Sequence, residues 1–385
     1  MNRTKLPLWT SAAFCCATLF SVQALARDRW PAEKAQSWER EMPWLIGANY
    51  SPASTINQLE MWQADSFDPE QIDKELAWAE SLGFNSMRVF LHHLLWEQDS
   101  EGLLKRMDEF LAIAERHKIG VMFVLFDSVW DPNPKLGKQR DPQQGVHNSG
   151  WVQSPGAADL KDASRHALLE AYVKGVVGRF RDDKRVQVWD LWNEPDNMND
   201  NSYGKNKLKQ EPADKQALVL ALLPKTFAWA RSAEPSQPLT SGLWLGGHKA
   251  DGAKLIPIEK VQLAESDVIS FHTYGKLPEV QAWVENLRKH NRGLLCTEYM
   301  ARPNGSTFDP ILAYFKEQKI GAYNWGFVAG KTNTIFAWNT WQKPEEAAEP
   351  KVWFHDIFRT DGTPFSQQEV DYIRRVTGKA VRTAP

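Results

Sequence analysis

The stretch that decides the fold is VQVWDLWNEP, residues 186–195. Its first part is a β-branched and aromatic run of strand length, and it stops at Pro195, which cannot donate to a sheet ladder. The sequence therefore predicts a strand that ends at Asn193 and Glu194. An amide and a carboxylate at the end of a largely apolar strand are costly to desolvate without partners. The pattern is compatible with a simple strand-to-loop junction, but it also suits an acid held rigidly where a substrate would arrive.

Strand-like and helix-like segments alternate on both sides of this stretch. Predicted strands cover residues 44–50, 86–91, 121–126, 186–194, 239–245, 268–274, 293–299 and 320–327. Helix signals lie between them, such as Asp68-Pro69 before a helix that ends at Gly83, and Ser366 with Glu369 as a capping box for the last helix.

Eight strands alternating with helices predict a single-domain (β/α)₈ TIM barrel, with long loops after the third, fourth and eighth strands. A doubly wound open sheet is the alternative. It is less favoured because no glycine-rich phosphate loop follows the first strand.

The N-terminus has the pattern of a secretory signal peptide. Arg3 and Lys5 precede an apolar run from Leu8 to Val22, and Ala24-Leu25-Ala26 supplies small residues before a cleavage site. The run is short for a membrane anchor. We therefore expect residues 1–26 to be removed, which leaves residues 27–385 as one catalytic domain that is periplasmic or secreted and makes no membrane contact.

Composition argues against some partners and favours another. The formal net charge is −2 and no run of Lys and Arg stands out, which argues against nucleic acid. After cleavage Cys296 is the remaining cysteine, so no intrachain disulfide can form. The chain has 18 tryptophans, and an indole suits the C–H faces and hydroxyls of a sugar ring. This excess favours an oligosaccharide or polysaccharide substrate. Trp62, Trp96, Trp130, Trp151, Trp338 and Trp341 are candidate platforms, of which about half are expected in the core.

The carboxyl ends of the predicted strands carry polar and aromatic side chains. In a barrel of this kind the active site lies at these ends, so residues scattered in sequence would converge there. They are Arg88, Asp127, Asn193, Glu194, His272, Tyr274, Glu298 and Trp325. Two of them have simpler explanations: Arg88 could be only a structural ion-pair partner, and His272 could be a satisfied core histidine.

With Trp192-Asn193-Glu194-Pro195 and Cys296-Thr297-Glu298-Tyr299 in place, the sequence resembles the clan of retaining (β/α)₈ glycoside hydrolases. It is most similar to glycoside hydrolase family 5, the cellulase and mannanase family. The resemblance implies that Glu194 is the acid/base and Glu298 the nucleophile. We expect no metal and no organic cofactor.

The same resemblance assigns substrate-binding roles to the other strand-end residues. Asn193 would bind the sugar 2-hydroxyl, and Arg88 would help to keep Glu298 ionised. Tyr274 would contact the nucleophile, His272 would line the site, and Trp325 would floor the subsite at the cleaved bond. The family usually has a histidine near the end of strand three, where this chain has Asp127-Ser128. Asp127 is therefore a further substrate-binding candidate, and the sugar stays open.

A pair of glutamates also makes chemical sense by itself. Double displacement needs a carboxylate nucleophile and a second carboxyl that donates and later accepts a proton, about 5 to 5.5 Å apart. We expect repulsion from ionised Glu298 to raise the pKa of Glu194, and Arg88 to lower that of Glu298. The sequence thus predicts a retaining hydrolase of β-linked glycans of the cellulose, mannan or xylan type. A transglycosylase on the same scaffold and a non-catalytic sugar-binding protein are the alternatives.

Overall fold

The computed structural model describes residues 27–202, 208, 211–245 and 255–380. The predicted signal peptide, residues 1–26, lies outside the described residues. Eight parallel strands form the centre of the fold: β1 Ile46–Tyr50, β2 Ser86–Phe90, β3 Gly120–Asp127, β4 Val186–Asn193, β5 Leu239–Thr240, β6 Ile269–His272, β7 Leu294–Tyr299 and β8 Gly321–Asn324.

Regular pairing joins the strands in the order β5-β4-β3-β2-β1-β8-β7-β6. The two outer strands meet just beyond β5, where the backbone N–H of Leu243 donates to Ser270 at 3.0 Å and that of His272 donates to Leu243 at 2.8 Å. The sheet is thereby nearly closed on itself. The predicted single-domain (β/α)₈ barrel is confirmed.

Helices alternate with the strands, with one helix before β1 and one after β8. They are α1 Ala32–Glu41, α2 Gln58–Trp62, α3 Pro69–Leu82, α4 His93–Arg116, α5 Ala157–Lys161, α6 His166–Arg179, α7 Lys215–Ser232, α8 Pro257–Glu265, α9 Leu277–Arg288, α10 Phe308–Glu317 and α11 Gln367–Thr377. Within the described ranges, none of these helices combines the length and the apolar character needed to cross a membrane.

The helix caps predicted from the sequence are present at α3 and partly present at α11. Asp68 accepts a hydrogen bond from the backbone of Gln71 at the start of α3, and Gly83 ends that helix in the left-handed region with φ +80°. At α11, Ser366 accepts from the backbone N–H of Glu369 at 3.3 Å. The Glu369 carboxylate, however, accepts a hydrogen bond from Arg302 at 2.7 Å, so it serves a tertiary contact.

The predicted fifth strand, residues 239–245, keeps regular pairing only over β5. Beyond it Gly242 brings the backbone against the ring of His272, since a Cβ at this position would lie 3.0 Å from His272 Nε2. A glycine inside a strand often marks such a close approach. The shortened strand therefore makes room for a side chain of the candidate site.

The barrel interior begins with an apolar layer at the N-terminal ends of the strands. This lower layer consists of Leu45, Met122, Val188, Leu295 and Tyr323, and α1 packs against it. Further along the strands the interior becomes charged, because Arg88 of β2 and Asp190 of β4 lie there with fully buried side chains. The carboxyl ends of the strands thus stand on a buried polar network rather than on more apolar packing.

Candidate active site

Arg88 is the centre of this network, and every N–H donor of its guanidinium has a partner. Nε and Nη2 donate to Oδ2 of Asp190 at 3.0 and 2.8 Å. Nη1 donates to Oδ1 of Asn49 at 2.7 Å and to Oε1 of Glu298 at 3.0 Å. Nη2 also donates to Oδ1 of Asn193 at 2.6 Å. Arg88 is therefore an ion-pair partner of Asp190 that also contacts Glu298 directly.

Asn193 is held from two sides, which fixes the orientation of its amide. Its carbonyl oxygen accepts from Arg88, and its Nδ2 donates to Oδ1 of Asp127 at 2.9 Å. Nδ2 carries a second N–H. Because Asn193 lines the cavity described below, that second N–H is placed where a ligand hydroxyl could accept it.

Asp127 lies under Asn193 and is not one of the described residues that line the cavity. Its carboxylate accepts from Asn193, from Nε1 of Trp151 at 2.6 Å and from the backbone of Val129 at 3.0 Å. The expectation that Asp127 contacts substrate is therefore corrected: β3 and β4 pair Asp127 directly with Asn193, so its side chain orients that amide instead. Burial raises the pKa of Asp127 to about 7.

Glu194 follows β4 in a left-handed backbone conformation, with φ +43°. This conformation is uncommon for a residue other than glycine, and such strain is concentrated at functional sites. Oε1 of Glu194 lies 2.8 Å from Nδ1 of His272, and Oε2 accepts from Asn197 at 2.6 Å. The turn thus directs the carboxyl toward the centre of the barrel mouth.

Glu298 lies opposite, at the end of β7. One oxygen accepts from Arg88 and the other accepts from the hydroxyl of Tyr274 at 2.7 Å. Nδ1 of His272 is 3.5 Å from Oε2 of Glu298. Carboxylate oxygens of Glu194 and Glu298 and a ring nitrogen of His272 all lie within 4.8 Å of one another. Glu194 and Glu298, which were predicted at the ends of distant strands, therefore lie close together, and both are near the same ring nitrogen of His272.

The electrostatic environment of the two glutamates agrees only in part with the sequence-based expectation. Burial raises the pKa of Glu194 to about 7, so the predicted direction is right, but the cause is burial and not the expected repulsion from Glu298. Burial also raises the pKa of Glu298, against the nearby positive charge of Arg88. The expected lowering of the Glu298 pKa is therefore wrong in net direction. Burial lowers the pKa of His272 to about 4, which keeps this ring neutral at pH 7.

A cavity of about 510 Å³ lies above this pair at the carboxyl ends of the strands. Five of the predicted site residues line it: Asn193, Glu194, Tyr274, Glu298 and Trp325. Arg88, His272 and Asp127 are absent from the described lining residues and support those that are present. The arrangement offers an acid pair, an amide and aromatic faces to one bound molecule.

Several lining residues were not predicted from the sequence: His147, Asp196, Asn197, Gln216 and Trp244. Nε1 of Trp244 donates to Oδ1 of Asp196 at 2.6 Å. Trp244 lies at the end of the predicted fifth strand, so the rule that located the other site residues could have found it. Asp196 and Asn197 directly follow Pro195, but nothing in that position marks them as lining residues.

The tryptophans divide between the cavity and the core, as expected. Trp130 and Trp338 line the cavity beside Trp325. Trp62, Trp151 and Trp341 are almost fully buried, and Trp96 packs against the main core. Trp151 nevertheless supports the site from behind, because its ring meets that of Trp325 edge-on at a centroid distance of 6.0 Å.

Glu194, His272 and Glu298 also form a group that could hold a metal ion. Two carboxylates and an imidazole are suitable ligands in type. The guanidinium of Arg88, however, already places a positive charge 3.0 Å from Glu298, and a second cation would be repelled by it. The arrangement fits a hydrogen-bonded acid pair better than a metal centre.

No known protein family matches the chain by sequence, and neither does any curated protein. A GH5_18 variant from Streptomyces cattleya, solved in complex with Manb1-4GlcNAc, has a TM-score of 0.56 at 12% identity over 87% of this chain and 79% of that chain.

Two further solved structures have similar folds. The exo-beta-1,4-mannosidase Op5Man5 from Opitutaceae bacterium strain TAV5 has a TM-score of 0.54 at 19% identity, over 88% of this chain and 60% of that chain. The beta-mannanase from blue mussel Mytilus edulis has a TM-score of 0.50 at 16% identity, over 77% and 89%. Likeness at such low identity establishes the shared barrel fold.

Proposed function

We propose that this protein is a retaining glycoside hydrolase that cleaves β-linked glycans. The observation that carries the proposal is the pair Glu194 and Glu298: one carboxylate oxygen of each lies within 4.8 Å of the other at the mouth of a (β/α)₈ barrel. Double displacement uses carboxyl groups about 5 to 5.5 Å apart, whereas inverting enzymes need about 6.5 to 9.5 Å. The short separation favours the retaining mechanism.

The two carboxyls are equipped for different roles. Glu298 accepts hydrogen bonds from Arg88 and Tyr274, which stabilise its ionised form as a nucleophile. None of the Lys and Arg residues that the structure describes forms an ion pair with Glu194, and burial raises its pKa to about 7, which suits a group that must donate a proton near neutral pH. Different partners thereby separate two chemically identical side chains.

The reaction then proceeds in two balanced steps. Glu298 attacks the anomeric carbon and forms a covalent glycosyl-enzyme, while Glu194 gives its proton to the oxygen of the departing sugar. Glu194, now ionised, takes a proton from water as that water attacks the same carbon and displaces Glu298. Asn193 is placed to donate to the sugar 2-hydroxyl, and Trp325 offers a flat apolar face to the ring.

Structural neighbours support the substrate class without deciding the sugar. Their names include a beta-mannanase and an exo-beta-1,4-mannosidase, so a mannose-containing β-glycan is the first substrate to test. The apolar run from Leu8 to Val22, followed by Ala24-Leu25-Ala26, supports export to the periplasm or outside the cell.

The test is hydrolysis by residues 27–385 of β-mannan, β-glucan, β-xylan and aryl β-glycosides, with Glu298→Ala as the control. We expect turnover of one sugar class that is lost in the variant. Transfer to an added sugar acceptor as the main outcome would instead identify a transglycosylase. Tight sugar binding without turnover would identify a binding protein and overturn the proposal.

A further inference from the structure

Three loops at the carboxyl end of the barrel join into one continuous structure, which we call the three-loop wall: residues 51–57, 128–156 and 326–366. The first loop contacts both of the others. Nδ2 of Asn57 donates to the carbonyl of Gly150 at 2.9 Å. On the other side, the backbone N–H of Lys331 donates to the carbonyl of Ala53 at 3.0 Å. The loop after β1 therefore bridges the loops after β3 and β8.

The loops after β3 and β8 also contact each other directly. The backbone N–H of Glu345 donates to Gly145 at 2.9 Å, and that of His147 donates to Oγ1 of Thr340 at 2.9 Å. The approach is so close that a Cβ on Gly145 would lie 1.9 Å from the carbonyl oxygen of Glu345. Backbone contact leaves no groove between these two loops for a sugar chain to pass.

The wall stands directly behind Trp325. Trp151 and Phe90 meet the Trp325 ring edge-on at centroid distances of 6.0 and 5.8 Å. A pocket on this side, lined by residues such as Asn148 and Asp356, has a volume of about 20 Å³. That volume suits a water molecule, not a sugar ring.

The three-loop wall forms one side of the catalytic cavity, where residues such as Trp130 and Trp338 line it, and the cavity extends away from the wall. From Trp325 and Glu298 it passes Glu194 and continues to residues of the loops after β4 and β5 and of α7, including Asp196, Gln216 and Trp244. The acid protonates the departing oxygen, so the departing part of the substrate lies on the Glu194 side. The sugar that Glu298 attacks then lies over Trp325, with the three-loop wall beyond it.

Taking the proposed glycosidase function as given, we infer that the enzyme acts from the non-reducing end of its glycan. The site takes one terminal sugar against the three-loop wall and releases it, and the remaining chain leaves past Glu194. An internal segment of a polysaccharide does not fit. The part of the chain on the non-reducing side of the cleaved bond would have to run through Trp325 and the loops behind it.

The test compares two aryl β-disaccharides of the sugar that the substrate panel identifies. One is free, and the other carries a benzyl ether on the hydroxyl of its non-reducing sugar through which the glycan chain would continue. We expect the enzyme to remove sugars stepwise from the free substrate and to act at least about 100-fold more slowly on the blocked one. Equal release of aryl alcohol from both would overturn the inference while leaving the glycosidase proposal intact. Turnover of neither, by an enzyme that hydrolyses the polymer of the same sugar, would show that a longer internal segment is required and would also overturn the inference.

A reduced tetrasaccharide gives a second readout that does not depend on an aryl group. Its reducing end is an alditol, so each fragment reports where the chain was cut. We expect the first products to be a monosaccharide and the trisaccharide alditol. Early disaccharide alditol would show internal cleavage and contradict the inference.

Discussion

The lower and upper parts of the barrel interior are filled by side chains of different chemical character. The lower layer fills the space with apolar side chains such as Met122, Val188 and Leu295. Above it, Arg88 and Asp190 fill the space with a fully buried ion pair. Apolar packing stabilises a core directly, whereas a buried ion pair gains little once its desolvation is counted. We interpret the ion pair as a device that positions Glu298 and Asn193 and not as a source of stability.

The contrast between the two parts of the interior predicts that substitution of Glu298, in the upper part, has the largest effect on activity. Glu298→Gln keeps the shape of the side chain but removes the nucleophile, so kcat/KM should fall on the order of 10⁴-fold or more. The measurement is steady-state kinetics on an aryl β-glycoside, with circular dichroism to check the fold. Leu295→Ala, three residues earlier in the same strand, is the matched control and should keep the kcat of the folded enzyme. Comparable kcat losses in both variants would contradict the interpretation that the lower part of the interior stabilises the fold and the upper part supports catalysis.

Substitution of Arg88 tests whether the upper part of the interior contributes to activity or to stability. Arg88→Met leaves the Asp190 carboxylate buried without a cation and should cost about 3 to 5 kcal/mol of unfolding free energy. Leu295→Ala in the lower layer should cost a similar amount, about 2 to 5 kcal/mol, through a cavity. Denaturant unfolding measures both.

The double variant Arg88→Met with Asp190→Leu separates the two contributions. It removes the unpaired carboxylate, so most of the lost stability should return, while activity should stay low because Glu298 and Asn193 have lost their donor. Recovery of activity together with stability would show that Arg88 is only a structural residue.

The sequence was sufficient for the barrel and for the acid pair, for identifiable reasons. Strand periodicity, caps and turns located the strand ends, and Glu194 and Glu298 lie at two of them. The role of Asp127 could not be predicted from the sequence, because it depends on the strand register that pairs Asp127 with Asn193. The net pKa direction of Glu298 was also missed, since depth of burial outweighs a neighbouring charge and is not encoded locally. Loop-to-loop contacts such as Gly145 with Glu345 are set by tertiary packing alone.

The smallest predicted effect concerns pH and the proton on Glu194. A general acid must be protonated, and burial raises the pKa of Glu194 to about 7. We therefore expect kcat/KM to fall by about tenfold per pH unit above that value. The same raised pKa means that the folded protein binds this proton more tightly than the unfolded chain. The contribution of Glu194 to folding stability should consequently decrease as the pH rises from about 4.5 to about 7.

Glu194→Gln sharpens this prediction because it removes the titrating proton and keeps the shape of the side chain. Its pH profile should lose the fall above about 7, and its unfolding free energy should depend less on pH over the acidic range. A substrate with a strongly acidic aryl leaving group needs no proton to depart, so the variant should retain much of its kcat/KM on that substrate and little on a disaccharide. Its kcat should fall on both substrates, because the attack of water in the second step still needs the Glu194 base. If the alkaline fall persists in Glu194→Gln, another group supplies the proton. Asp196, whose buried carboxyl also has a pKa raised to about 7, would then be the residue to substitute next.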